Sequence, residues 1–202
     1  RPLAYHEFGA LLRDGQVTVT APSPHELALA VAEPARGVGL DLEQGLVDEI
    51  VADVANQPGG LPLLEYALTE LFHRRDGVRL TLDTYRATGG VLGALGRRAE
   101  DLYRSLDHGG RAAVQQAFLR LVTVGEDSDE TRRRVPVSEL HDLGLARASL
   151  DAALDEYASH RLLTFDRDPI TRDPTVEVAH EALLREWDRL ALWIRARRDD
   201  LI

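Results

Sequence analysis

Between Thr175 and Ile194 the apolar residues change their period, and this change constrains the fold more than any other stretch of the chain. Val176 and Val178 alternate with polar neighbours, as in a strand with one buried face. Leu183, Trp187, Leu190 and Ile194 then recur at helical spacing. His180 falls at the junction, where a strand must hand over to a helix. A side chain there is held from both sides and can point into a cleft. Taken alone, the stretch also fits a half-buried structural histidine.

The elements leading up to this junction have a recognisable order. Val114, Ala117, Phe118, Leu121 and Val122 predict a helix, Gly125–Glu130 a solvated loop, and Arg133–Pro136 a short strand. Helices are expected over Val137–Leu143 and along the face of Leu150, Leu154 and Tyr157. Strands follow at Leu162–Asp166 and Thr175–Ala179, joined by the turn-rich Arg167–Pro174. Helix, strand, helix, helix, strand, strand is the order of a winged helix, a variant of the helix-turn-helix family. It is assigned to 108–202, with the boundary at Asp107-His-Gly-Gly110.

The preceding segment, 23–107, reads as a helical bundle. Ser23-Pro24-His25-Glu26 is a capping box with proline at the first helical position, and the helix it opens is expected to stop before Pro34. Leu46, Val47, Ile50, Val51 and Val54 mark a second helix, ended by Pro58-Gly59-Gly60. Pro62 is expected to open a third, with Leu64, Ala67, Leu68, Leu71 and Phe72 on one face. Thr81 begins a short helix, and a long one follows Gly89-Gly90 through Leu106. Residues 1–22 start without a cap and include the β-branched run Gln16–Thr20, as expected for the remnant strand of a larger α/β domain. The predicted class is mainly α.

Composition excludes several chemistries. The chain has no cysteine, which removes disulfides, thiol nucleophiles and cysteine-based metal sites. All 24 of its basic residues are arginine, so a G-x-x-x-x-G-K-[ST] phosphate loop and a Schiff-base lysine are both excluded. The formal charge of −10 opposes nucleic-acid binding overall. No apolar run approaches the ~20 residues of a membrane span and no signal-type segment opens the chain, so a cytoplasmic location is expected. Gly89-Gly90, with Gly93 and Gly96, follows a helix rather than a strand and does not form a dinucleotide loop. Arg132-Arg133-Arg134 lies beside the acids of Glu126–Glu130 and reads as a compensated surface run. His180-Glu181 lacks the second histidine of H-E-x-x-H, and no metal site is expected.

Two short motifs remain. Gly60-Leu61-Pro62-Leu63 opens a bundle helix, and Ala179-His180-Glu181 closes the hairpin. With the intervening Thr131–Leu140 and the terminal His-Glu-Ala-Leu-Leu-Arg-Glu-Trp, this pairing resembles the STAND nucleoside triphosphatases. It is most similar to the bacterial novel STAND NTPase 1 branch, whose members often sit beside WD40 repeats. The resemblance covers the chain from about Gln16 onward. It implies a regulatory lid, a helical domain plus a winged helix, working with an upstream P-loop ATPase domain.

On that resemblance Pro62, with Gly60 and Leu61, would lie at the adenine, and His180 would contact the β-phosphate of ADP and lock a closed state. His180 keeps the family's histidine, while Ala179 and Glu181 depart from the usual Met-His-Asp. The Walker lysine and carboxylates are absent, so this chain alone is not expected to be an enzyme or to hold ADP or ATP tightly. Other implied partners are a downstream effector or repeat domain, such as WD40, and further copies in a nucleotide-driven oligomer. The competing readings are a winged-helix DNA-binding regulator or a protein-interaction module. Against DNA binding, the recognition-helix candidate Ala146–Ser159 carries Asp151, Asp155 and Glu156.

Overall fold

The computed structural model describes residues 15, 20–55, 60–125 and 130–197. The expected strand at Gln16–Thr20 falls almost wholly outside these residues, as does Gly59. The described chain is mainly helical with small sheets.

Helix α1 (Pro24–Gly37) starts at the expected capping box: the Ser23 side chain accepts from the Glu26 amide, and the Glu26 carboxylate accepts from the Ser23 amide at 2.8 Å. It does not stop at Pro34, which lies inside it. The missing amide costs one backbone bond. The helix continues because Val31, Ala32 and Ala35 are buried on the same face, and packing sustains a helix more than local propensity does. Strand β1 (Asp41–Leu42) pairs in parallel with β2 (Arg79–Leu80). Between them lie α2 (Leu46–Val54) and α3 (Gly60–His73). α3 includes Gly60 and Leu61, two residues ahead of the proline expected to open it. First-turn amides have no partner within a helix, so a proline there sacrifices no bond.

Thr81 caps α4 (Leu82–Thr88), as expected. Gly89 and Gly90 then turn the chain with φ of 88° and 67°, values that disfavour any side chain. The long helix α5 (Gly90–Ser105) packs on α3, α2 and α4.

Asp107 caps α6 (His108–Arg120), whose first turn contains Gly109 and Gly110. A hairpin not foreseen in the sequence follows, β3 (Val122–Val124) against β4 (Glu130–Arg132). β5 (Val135–Pro136), α7 (Val137–His141), α8 (Arg147–Ser159), β6 (Leu163–Arg167) and β7 (Pro174–Val178) come next. The sheet order is β5-β7-β6, antiparallel throughout, with Leu163 opposite Val178 and Phe165 opposite Val176.

The expected continuous helix after His180 is two pieces, α9 (Leu183–Glu186) and α10 (Asp188–Ala196). Trp187 between them is extended, with φ −97° and ψ 94°. Leu183, Trp187, Leu190 and Ile194 are nevertheless all buried. The break lets the chain press on α5, where Gly96 meets the backbone of Glu186 so closely that a β-carbon could not be accommodated.

One apolar core runs through both halves. Trp187 lies 5.2 Å from Phe118, 5.4 Å from Trp193 and 6.2 Å from Tyr103 by ring centroids. Tyr157 on α8 donates to the Ala99 carbonyl on α5 at 2.9 Å. Glu100 accepts from the Trp187 indole at 3.0 Å and from Arg189 at 2.7 and 2.9 Å.

Candidate functional site

Gly60, Leu61 and Pro62 form the start of α3. Gly60 is buried, whereas Leu61 and Pro62 face outward, Leu61 with 48 % of its surface exposed. One helical turn beyond Pro62, Tyr66 is turned inward with 6 % exposure. Its ring stands edge-on to His180 at 6.0 Å and 69°. Tyr66 is thus the described contact between the helix that carries Gly60–Pro62 and His180.

His180 follows β7 and is half-buried. Its position is fixed through the backbone on either side. Ala179 donates to the Leu162 carbonyl at 3.0 Å, and the His180 carbonyl accepts from Leu183 at 3.0 Å. Arg132, from the unforeseen hairpin, donates to the Ala179 carbonyl at 3.1 Å. Burial lowers the His180 pKa below its ordinary value, the Arg132 charge adds to the effect, and Glu65 opposes it. The imidazole is therefore neutral near pH 7. Neither ring nitrogen makes a hydrogen bond to a described residue, which leaves one donor and one acceptor open to a ligand.

The family model described as Novel STAND NTPase 1 matches residues 1–202, the entire chain. The chain belongs to that family. No curated protein and no solved structure matches it.

Around the two motifs, this STAND chain adds features the sequence did not single out. Arg161, in the left-handed region at φ 55°, reaches from the end of α8 to Glu65 on α3 at 2.7 Å. Tyr66 itself was discoverable, since it lies four residues beyond Pro62. Arg132 and Arg161 were not, because their partners lie far away in sequence. Beside Leu61 an apolar groove of about 490 Å³ runs between α1 and α3, lined by Val31, Pro34, Val38, Leu64, Leu68 and Phe72.

Two arginines of the run pair with acids distant from the loop, whose residues 126–129 lie outside the described residues. Arg133 pairs with Glu139, and Arg134 with Asp166 and Glu177. On α8, Asp155 and Glu156 are exposed, while Asp151 lies near both His141 and Arg147. That face offers a DNA backbone no surplus positive charge. Among the described residues, no group of three acidic or histidine side chains could hold a metal ion, and no helix is long and apolar enough to cross a membrane.

Proposed function

We propose that this chain is the regulatory lid of a STAND switch, a helical module plus a winged helix that closes over a nucleotide held by an upstream P-loop domain. The observation that supports the reading is the contact of His180 with Tyr66, on the helix that Gly60–Pro62 begin. On this reading Pro62 packs on the base and the neutral His180 ring donates to a phosphate oxygen of ADP. The order of α6, β5, α7, α8, β6 and β7 supports the winged-helix assignment. The apolar groove beside Leu61 supports docking of a further domain on α1 and α3.

Exchange of ADP for ATP would shift the phosphates and withdraw the ligand that His180 holds. Such a switch requires the two nucleotides to differ in affinity between the closed and open states. Nucleotide chemistry itself belongs to the upstream domain, and the released lid transmits the change to an effector, a repeat domain or further copies.

The test is calorimetric titration of ADP into a chain extended upstream through the P-loop, with and without His180→Ala. The expected result is at least a 10-fold loss in the variant, about 1.4 kcal/mol. Unchanged affinity would make His180 a packing residue and refute the lid reading.

A further inference from the structure

The three consecutive arginines that begin at the end of β4 are used in two different ways. Arg133 pairs with Glu139 at 2.8 and 3.1 Å, and Arg134 pairs with Asp166 and Glu177 at 3.1 and 2.8 Å. Arg132 makes no ion pair with a described residue. It is bonded to the backbone instead: its Nη1 donates to the Ala179 carbonyl at 3.1 Å and lies 3.4 Å from the Val178 carbonyl. The Ala179 carbonyl belongs to the peptide unit whose nitrogen is that of His180.

That peptide is where the chain leaves the sheet. Val178 still stands opposite Leu163, and Ala179 donates to the Leu162 carbonyl, but His180 has no cross-strand partner among the described residues. Arg132 therefore holds the chain at the step into His180, and a charged donor holds a carbonyl more firmly than a neutral one does. The surroundings of the ring are unequal in charge. Tyr66 meets it edge-on from α3, and Glu65, also on α3, is already bonded to Arg161 at 2.7 Å. The positive charge of Arg132 acts on the imidazole more strongly than the negative charge of Glu65 does. Such a field favours the neutral ring, which can donate one hydrogen bond but brings no charge of its own. An anion bound by the ring is attracted by the guanidinium nearby.

We propose that Arg132 is the positioning residue of the His180 contact: it holds the peptide that leads into the histidine and supplies the positive charge that the imidazole lacks. This role rests on the reading of His180 as a ligand of a nucleotide phosphate and extends it. The grip on ADP then depends on the β3–β4 hairpin, which carries Arg132, as well as on the β6–β7 hairpin that ends before His180.

The probe is ADP, titrated into the chain extended upstream through the P-loop. Arg132→Gln should weaken binding about 5-fold at low salt, and less as salt rises, because an exposed charge is screened. Arg133→Gln, which removes the neighbouring arginine already paired with Glu139, should bind ADP as the parent does. A second readout needs no nucleotide: the titration of the His180 ring followed by NMR, with its signal assigned by its loss in His180→Asn. Arg132→Gln should move that titration upward, toward the ordinary value for histidine. Arg132→Lys keeps a charge and a donor, and should hold the titration near that of the parent. If Arg132→Gln binds ADP as tightly as the parent while His180→Ala does not, the role of Arg132 is overturned and the lid reading stands. If His180→Ala also binds unchanged, the lid reading fails and the role of Arg132 with it. An unmoved His180 titration in Arg132→Gln likewise overturns the role, since the guanidinium would then exert no field on the ring.

Discussion

At the scale of single residues, His180 and Glu100 titrate in opposite settings with the same sign of consequence. His180 has a folded pKa below the ordinary 6.5, so the unfolded chain takes up its proton first as pH falls. Its contribution to stability is whole above pH 6.5 and is lost below it, until the folded value is reached. Subtracting the pH–Tm curve of His180→Asn from that of the parent should show this loss as a downward step below pH 6.5. Glu100 is held at a pKa of about 2, chiefly by the Arg189 hydrogen bonds, with burial opposing and Trp187 and Arg104 assisting. Its stabilisation is present above its ordinary value of 4.5 and disappears as pH falls toward 2. Acid unfolding of Glu100→Gln should therefore begin from a lower Tm and have a shallower slope between those values.

At the scale of elements, most helices could be read from apolar period and capping residues, while their ends and breaks could not. Ser23, Thr81 and Asp107 announce helix starts because each has an oxygen within reach of an amide in the first turn. Pro34 is misleading because the cost it carries is local and the burial of Val31 and Ala35 that outweighs it is tertiary. The break at Trp187 has no local signal at all. It follows from the approach of α5, which only Gly96 permits. Gly96→Ala should force the Glu186 backbone away and cost roughly 1–3 kcal/mol or more in a denaturant titration, as overpacking does. Gly93→Ala on the same helix meets only an ordinary contact with the Thr88 carbonyl at 3.8 Å and should be close to neutral. The candidate site divides in the same way. Gly60–Pro62 and His180 stand out as motifs, whereas Tyr66 was passed over although it lies only four residues beyond Pro62. Arg132 and Arg161 depend on a hairpin and a turn whose placement only the packing decides.

At the scale of the molecule, the shared core makes the bundle and the C-terminal half one mechanical unit. Separating them would expose Trp187, Tyr157 and Phe118, each fully buried. Unfolding should therefore be a single transition, with calorimetric and van't Hoff enthalpies in agreement. Trp187→Ala should lower the stability of the whole chain by about 3–5 kcal/mol rather than release one half alone. On the proposed switch the pair would move together relative to the upstream domain.

The placement of the aromatic residues also has an optical consequence. Both tryptophans of the chain, Trp187 and Trp193, belong to the junction with α5, where Tyr103 packs on each of them. Intrinsic emission therefore reports on one location. It should shift to the red when α10 lifts off α5, and stay silent to events confined to the contact of Tyr66 with His180. A nucleotide that changed the tryptophan spectrum would have carried its signal from His180 through α9 to the junction with α5.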